Sequence, residues 1–340
     1  MINRPDYIAA IEPFIDKPLV KILAGIRRCG KSTIFEMLRE ELLRRGAGED
    51  QIICKRYTEM DIPENITAKQ MYDELTAAMA GKGHCYLLLD EIQEITGWEK
   101  AVNSLLESAD ADIYVTGSNS KLMSSEISTY LTGRYVSIPV YTLSFKEYLD
   151  FKADSTLSRR ELLEEYIRFG GFPIIALSEY DEQSAYQIVN GIYHTVVSRD
   201  IVKRHRINKQ DLFDRVVKYI IENMGKTFSA NSISTFLKSE HRKVSVESIY
   251  NYLRWLEQAF IIYPCERYDL QGKSILKTQE KYYLADVSLK YALLGYNRKM
   301  LDGAMENIVY LELKRRGYDV YIGKNDTKEI DFVATRRDER

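Results

Sequence analysis

Residues 23–33 read LAGIRRCGKST, with two glycines, a lysine and a hydroxyl between two runs of different pattern. The run before it, PLVKILAG (18–25), is short, β-branched and apolar and ends at a glycine, which is typical of a buried strand. The run after it, STIFEMLREELLRR (32–45), has apolar residues at helical spacing. The loop between them has the spacing G-x-x-x-x-G-K-[ST] at Gly25, Gly30, Lys31 and Ser32.

A loop with this spacing between a strand and a helix predicts a phosphate-binding site. Its backbone N–H groups face the phosphates of a nucleotide at a helix N-terminus, where the helix dipole favours an anion. In that geometry Lys31 reaches the β- and γ-phosphates and the Ser32 hydroxyl binds Mg²⁺. The alternative, a chance match, is disfavoured by the strand and helix on either side.

A pair of acids follows the next strongly apolar strand. YLLLDEIQ (86–93) puts Asp90 and Glu91 at the carboxyl end of a buried strand, where ligands bind in open α/β sheets. Asp90 is predicted to hold the Mg²⁺ shell, and Glu91 to orient or deprotonate a water that attacks the γ-phosphate. The structural alternative is a solvated strand end.

Polar residues also end the following strand. VTGSNS (115–120) leaves Thr116, Ser118 and Asn119 where a side chain can hydrogen-bond the γ-phosphate or the attacking water. We choose Asn119 for this sensor role. The alternative, an N-cap for the segment SKLMSSEIS, remains open, and different residues of the trio can fill the two roles.

Strands alternating with helices over residues 1–150 predict an α/β domain with a parallel sheet. The chain then becomes mostly helical. We expect a helical lid or linker region over 151–208, a winged helix-turn-helix over 209–278 and a partial α/β segment over 279–340. Within the winged helix, IIYPCERYDLQGKSIL (261–276) is expected to form a strand pair joined near Gly272.

Composition narrows the class of protein. The 340 residues are 45% hydrophobic and 29% charged, with no apolar run of about 18 residues to span a bilayer and no signal-peptide pattern at the N-terminus. The expectation is a cytoplasmic protein without membrane contact. Four dispersed cysteines and four dispersed histidines indicate neither a zinc site nor a disulfide framework. A net charge of -2 disfavours bulk electrostatic coating of nucleic acid, although local basic patches are allowed.

The motifs together resemble one family. GIRRCGKST, LLLDEIQEITGWEKAV, VTGSNSKLMS, LTGRYVSIPVYTLSFKEYL, GGFP, SRDIVKR and the tail MENIVYLELKRRGYDVYIGKNDTKEIDFVA are similar to prokaryotic AAA+ P-loop ATPases of the archaeal-ATPase, STAND-like type. Members of that family carry a winged helix and a restriction-endonuclease-like domain of unknown function after the ATPase domain. The resemblance covers nearly the whole chain.

The resemblance implies an ATP hydrolase with ATP and Mg²⁺ as ligands. The expected nucleotide-binding residues are Gly25, Arg28, Gly30, Lys31, Ser32 and Thr33. Arg134 of LTGR stands where AAA+ proteins extend an arginine finger toward the γ-phosphate of a neighbouring subunit, which implies a homo-oligomer; a surface or ion-paired arginine is the alternative. Arg27 and Arg28 are expected to touch nucleotide phosphate or the second domain, or one of them to be solvated.

The predicted winged helix leaves its partner open. If SVESIYNYLRWLEQAF (245–260) is a recognition helix, its outward residues are Ser245, Glu247, Ser248, Asn251 and Arg254. Basic residues nearby that suit phosphate contacts are His241, Arg242, Lys243, Lys238, Arg267, Lys273 and Lys277. DNA binding and docking of a protein partner are both compatible with this pattern.

The tail has the acids of a nuclease without the rest of its site. Glu306, Glu312, Glu329 and Asp331 resemble the metal-binding acids of PD-(D/E)xK nucleases. Such a site needs an acid-x-lysine element after the aspartate, and FVATRRDER (332–340) supplies only arginines as basic residues. We therefore expect structural acids and no DNA cleavage. The three functions left open are an ATP-driven switch, a DNA-binding protein with slow nucleotide turnover, and the ATPase subunit of a nuclease system.

Overall fold

The computed structural model describes residues 3–59, 66–123, 127, 130–131, 133–205, 207, 209–239, 244–269, 280–296, 303–325 and 328–336. The chain divides into two compact units, Met1–Val140 and Tyr141–Arg340.

The first unit is built around a parallel sheet. Its five strands are β1 (Val20–Ala24), β2 (Ile52–Arg56), β3 (Cys85–Asp90), β4 (Ala111–Gly117) and β5 (Tyr135–Pro139). The helices are α1 (Pro5–Ile11), α2 (Lys31–Arg44), α3 (Ala68–Met79) and α4 (Trp98–Ser108). The strand order is β2-β3-β4-β1-β5, and every pair is parallel. The predicted α/β class with a parallel sheet is confirmed.

Strand β1 is buried along its whole length, as the short apolar run predicted. Its last residue, Ala24, pairs with Gly117 of β4 and with Pro139 of β5. Since all strands are parallel, the residues that follow β1, β3 and β4 emerge at the same edge of the sheet. This edge brings the glycine-rich loop, the acidic pair and the polar trio together.

The second unit begins with helices. They are α5 (Phe145–Phe151), α6 (Arg159–Phe169), α7 (Pro173–Ala176), α8 (Glu182–Val196), α9 (Gln210–Glu222), α10 (Ala230–Ser239), α11 (Val246–Gln258), α12 (Ser288–Leu294) and α13 (Ala304–Arg315). Helix α8 continues through a π-helical segment, Val197–Val202, into a final turn, Lys203–His205. The helical region predicted after residue 150 is confirmed.

The strands of the second unit are β6 (Ile262–Cys265), β7 (Arg267–Asp269), β8 (Lys281–Leu284), β9 (Asp319–Asn325) and β10 (Lys328–Thr335). They form an antiparallel pair, β6-β8, and a three-stranded sheet in the order β10-β9-β7. Strand β7 pairs with β9 in parallel, and β9 pairs with β10 antiparallel.

The expected strand pair joined near Gly272 is confirmed in part. Strand β6 pairs antiparallel with β8, with Ile262 opposite Leu284 and Cys265 opposite Lys281, so the pair is centred next to Gly272. Strand β8 starts at Lys281, beyond the predicted segment 261–276, and β7 pairs with the distant strand β9. Gly272, the predicted turn, lies outside the described residues. Local alternation identifies strands, but it does not identify their partners, and β7 finds its partner more than fifty residues later in the chain.

Across the described part of the chain, no helix combines the length and the apolar character needed to cross a membrane.

Candidate functional site

The glycine-rich loop lies against the end of β5. A Cβ atom on Gly25 would stand 2.0 Å from the Val140 carbonyl oxygen, so only glycine allows the loop to leave β1 here. Gly30 has a φ of +102°, a left-handed conformation that favours glycine, directly before α2 begins at Lys31. The two glycines of the motif are therefore required by backbone geometry.

Lys31 is buried at the N-terminus of α2. Its Nζ donates to the carbonyl oxygens of Gly25 and Ile26, at 3.0 and 3.2 Å, and lies 3.7 Å from Oε1 of Glu91. Carbonyl oxygens at the start of the glycine-rich loop thus bind the ammonium group of Lys31. The ammonium group is held at the helix N-terminus, beside the predicted catalytic carboxylate.

Ser32, Asp90 and Thr116 form a hydrogen-bonded chain across three elements. Ser32 Oγ donates to Oδ2 of Asp90 at 2.7 Å, and Thr116 Oγ1 donates to Oδ1 of the same carboxylate. Asp90 is buried, with the Ser32 hydroxyl on one side and the Thr116 hydroxyl on the other. A hydroxyl and a carboxylate oxygen are ligands that suit Mg²⁺, so the described residues fit the predicted metal position.

Glu91 leaves β3 in a left-handed conformation, with a φ of 55°. Its backbone N–H donates to Thr116 Oγ1 at 3.0 Å, and Gln93 Nε2 donates to its Oε2. Arg27 Nη1 lies 3.8 Å from the same Oε2. A left-handed conformation is costly for a residue with a side chain, and here the Thr116 contact holds it. This conformation turns the Glu91 carboxylate toward the glycine-rich loop. The position of Glu91 at the end of a strand did not predict it.

The remaining residues of the polar trio are buried. Ser118 Oγ is an acceptor for Gln93 Nε2 at 3.4 Å, and the Asn119 carbonyl accepts from Leu122 N–H at 3.1 Å at the start of a short 3₁₀ turn. Of the trio, Thr116 is hydrogen-bonded to the acidic pair, whereas Asn119 lies just after the end of β4. The sensor role of Asn119 stays a prediction.

The other predicted nucleotide-binding residues are close in the chain but differ in exposure. Arg28 is exposed and has a φ of 67°, whereas Thr33 is half-buried in the first turn of α2. Arg27 is half-buried and reaches Glu94, with Nη2 3.4 Å from Oε1, as well as Glu91. Arg27 is therefore part of the acidic cluster, which the sequence interpretation did not foresee.

Arg134 lies at the opposite edge of the sheet from these residues. It directly precedes β5, and its carbonyl accepts from Val20 N–H at the start of β1. The loop begins four residues further along β1, and this distance is roughly 13 Å at the usual strand rise. Its guanidinium contacts Asn103 at 3.0 Å and Glu107 at 2.7 Å on α4. Arg134 is not brought together with the other predicted catalytic residues of its own chain.

Two arginines near the site were missed by the sequence interpretation. Arg4 is 2% exposed, and its Nη1 donates to the Cys29 carbonyl of the glycine-rich loop at 2.8 Å. Arg56, the last residue of β2, donates from Nε to Oδ2 of Asp90 at 3.0 Å. Neither lies in a recognisable motif, and their partners are 25 and 34 residues away.

Cys29 lies inside the loop and is fully buried. Burial raises the pKa of the Cys29 thiol, with Lys31 and Arg4 acting in the opposite direction. The thiol therefore packs as a protonated, apolar group.

Two of the predicted tail acids, Glu306 and Glu312, form ion pairs. Lys281 Nζ lies 2.9 Å from Oε1 of Glu306, and the Tyr283 hydroxyl donates to the same oxygen. Burial and the Glu306 contact raise the pKa of Tyr283. Asp331 is exposed on β10. Among the described residues, no group of three or more His, Cys, Asp or Glu side chains is placed to hold a metal ion.

The helix predicted to recognise DNA is α11. Of its outward residues, Ser245, Glu247 and Arg254 are exposed, and Ser248 and Asn251 are half-buried. Arg254 Nη2 donates to Asn251 Oδ1 at 2.9 Å. Lys238 is exposed on α10, and Arg267 begins β7. The other predicted basic contacts, His241, Arg242, Lys243, Lys273 and Lys277, lie outside the described residues.

Comparison with known proteins supports the reading of the first unit. Residues 17–149 match the AAA domain family, and residues 160–299 match a domain of unknown function, DUF8612. A Walker-type ATPase of Pyrococcus abyssi has a similar structure, with a TM-score of 0.59 and 15% identity over 86% of this chain and 96% of that one. The fold and the loop geometry thus define an α/β P-loop NTPase of the AAA type.

Two relatives are similar over most of their length. An uncharacterized protein of Haemophilus influenzae is 36% identical over all of this chain and 85% of its own length. The uncharacterized protein MJ1544 of Methanocaldococcus jannaschii is 32% identical over 92% of this chain and 71% of its own length. The chain belongs to one family with these two proteins.

Proposed function

We propose that this protein is a Mg²⁺-dependent ATP hydrolase that acts as a nucleotide-driven switch. The observation that carries the proposal is the chain Ser32–Asp90–Thr116–Glu91, in which two hydroxyls, the Asp90 carboxylate and the Glu91 backbone N–H, from three elements, are hydrogen-bonded at one sheet edge. The AAA domain match over residues 17–149 supports ATP as the nucleotide.

Each residue has a chemical task in this proposal. The backbone of the loop from Gly25 to Gly30 and the N-terminus of α2 bind phosphate, and Lys31 adds a point charge there. Ser32 and Asp90 would hold Mg²⁺, which supplies positive charge between the β- and γ-phosphates when it is bound. Glu91 accepts a proton from the attacking water or orients that water. Asn119 is proposed to contact the γ-phosphate.

Phosphate release tests this function directly. With ATP as substrate we expect steady release in the presence of Mg²⁺ and none in excess EDTA, because Asp90 and Ser32 act through the metal. Release that continues unchanged in EDTA would contradict the proposal.

The same assay, repeated with DNA over a range of salt concentrations, tests the DNA-binding alternative. Among the described residues of α11, the exposed charged side chains are one basic, Arg254, and two acidic, Glu247 and Glu257. Their net charge is therefore not positive. We expect hydrolysis without DNA. Salt-dependent DNA binding together with negligible turnover would make the DNA-binding function primary, and metal-dependent cleavage of the DNA would make the nuclease function primary.

Arg134 is proposed to act on the nucleotide of a neighbouring chain. Its position before β5, roughly 13 Å along the sheet from the loop of its own chain, supports a role at a neighbouring chain. In analogous enzymes, an arginine finger supplies about 10³- to 10⁵-fold in rate. The pair with Glu107 is half-exposed and therefore weak enough to be exchanged for a phosphate contact.

Mixing variants tests the trans role of Arg134. We expect Arg134→Ala and Lys31→Ala to be inactive separately and to recover activity when mixed, because one has an intact pocket and the other an intact arginine. The rate per chain of the unmodified protein should rise with protein concentration. Glu107→Gln is a matched control that breaks the same ion pair but keeps the arginine, and it should remain active. A rate that stays flat with concentration, with no recovery on mixing, would remove Arg134 from catalysis.

A further inference from the structure

The Asp90 carboxylate accepts hydrogen bonds from three side chains. Oδ2 accepts from Ser32 Oγ at 2.7 Å and from Arg56 Nε at 3.0 Å, while Oδ1 accepts from Thr116. A carboxylate oxygen offers about two lone-pair sites. Both sites of Oδ2 are therefore in use, and one of them is held by a cation.

Arg56 is fixed at its backbone, while its side chain is partly exposed. It is the last residue of β2 and stands directly beside Asp90 in the parallel register of β2 and β3. Its side chain is 43% exposed, and its Nη1 lies 3.7 Å from Oε1 of Glu59, an exposed acid. The guanidinium can thus leave Oδ2 for solvent or Glu59 without disturbing the strand pairing.

A hydrated metal ion needs the same oxygen. Mg²⁺ dehydrates reluctantly and keeps several waters, and those waters donate to nearby carboxylates. The Ser32 hydroxyl, the predicted metal ligand, is hydrogen-bonded to Asp90 Oδ2, so Oδ2 would be the oxygen available to a water of the ion. A guanidinium on this oxygen both occupies a lone pair and repels a divalent cation.

We propose that Arg56 and hydrated Mg²⁺ compete for Oδ2 of Asp90, so that Arg56 sets the magnesium concentration at which nucleotide binds. The inference rests on the proposed function, because it concerns the same metal position. It makes Arg56 a positioning residue that tunes the site and does not touch the reacting atoms.

The chain offers a matched control one residue away. Lys55 precedes Arg56 on β2, so its side chain points to the other face of the sheet, where it forms an ion pair with Glu74. Lys55→Gln removes the same formal charge from the same strand without touching Asp90. Arg56→Lys, in contrast, keeps the charge at the site itself.

The test is the Mg²⁺ dependence of binding of a fluorescent ATP analogue, measured at fixed nucleotide concentration. We expect Arg56→Gln to lower the Mg²⁺ concentration for half-maximal binding by roughly fivefold, the size of a partly exposed ion pair. Arg56→Lys should remain near the parent, and Lys55→Gln should not change the midpoint. Binding in EDTA should be equal in the parent and in Arg56→Gln.

Three outcomes would overturn the inference. One is an unchanged or higher Mg²⁺ midpoint in a folded Arg56→Gln, as shown by an unaltered thermal melt, and another is the same shift in Lys55→Gln, which would indicate bulk charge. The third is weaker binding of Arg56→Gln in EDTA, which would make Arg56 a phosphate ligand. These results leave the proposed function intact, whereas a parent that binds no nucleotide at any Mg²⁺ concentration overturns both.

Discussion

Replacing Lys31 with alanine is expected to abolish nucleotide binding. Lys31 Nζ is held at the N-terminus of α2 by the Gly25 and Ile26 carbonyl oxygens, so the positive charge is already at the phosphate-binding end of the helix. A charge-assisted contact is worth up to roughly 3 kcal/mol, which corresponds to a loss in affinity of about 100-fold or more. Isothermal titration with ATP and Mg²⁺ measures this loss.

The variant also removes a buried cation beside Glu91, so its folding has to be checked. Lys55→Ala is a suitable control, because it deletes a lysine from the same unit at a position on β2 that is paired with Glu74. We expect the control to bind ATP like the parent. Unchanged ATP affinity in a folded Lys31→Ala would mean that the glycine-rich loop does not bind the phosphates.

Replacing Glu91 with glutamine is expected to stop hydrolysis while ATP stays bound. Glutamine keeps the size of the side chain and the backbone contact with Thr116, but it loses the charge that accepts a proton. General base catalysis contributes about 10²- to 10⁴-fold, and we expect the rate of phosphate release to fall by about that factor. Affinity for ATP should fall little, because Lys31 and Arg27 each keep a hydrogen-bonding partner.

Glu94→Gln separates the catalytic role from the loss of a negative charge. Glu94 lies one turn further along the chain and contacts the same arginine, with Oε1 3.4 Å from Arg27 Nη2. We expect this variant to hydrolyse ATP at nearly the parent rate. Equal turnover in Glu91→Gln and the parent would assign the water-activating role to another residue.

Much of the site could be predicted because its residues follow local patterns. A short apolar strand ended by Gly25 and a helical repeat from Ser32 onward identify the loop, and the end of a buried strand identifies Asp90 and Glu91. The parallel sheet then brings these segments to one edge, as the alternation of strands and helices implied.

The contacts that could not be predicted depend on which strands and chain ends become neighbours. Arg56 meets Asp90 only because β2 lies next to β3 in a register that pairs the two residues. Arg4 reaches the Cys29 carbonyl from the residue just before α1, a segment whose sequence gives no sign of the loop. The β7–β9 pairing was missed for the same reason, since alternation along one strand does not specify a partner.

The left-handed conformation of Glu91 is a further contact-dependent feature. Most residues avoid a φ of 55°, and nothing in YLLLDEIQ favours it. It follows from Thr116 on β4, whose hydroxyl accepts from the Glu91 N–H and donates to Asp90. Thr116 was predicted only as one of three sensor candidates, and its contacts show that it positions the acidic pair.

The identity of the bound nucleotide shows whether Lys31, Ser32, Asp90 and Glu91 form one ATP-hydrolysing site. Parent and Glu91→Gln are incubated with ATP and Mg²⁺, separated quickly from free nucleotide and extracted. We expect Glu91→Gln to retain intact ATP, the parent to retain ADP, and Lys31→Ala to retain neither. The same ratio of ATP to ADP in the parent and Glu91→Gln, or nucleotide retained by Lys31→Ala, would contradict this assignment.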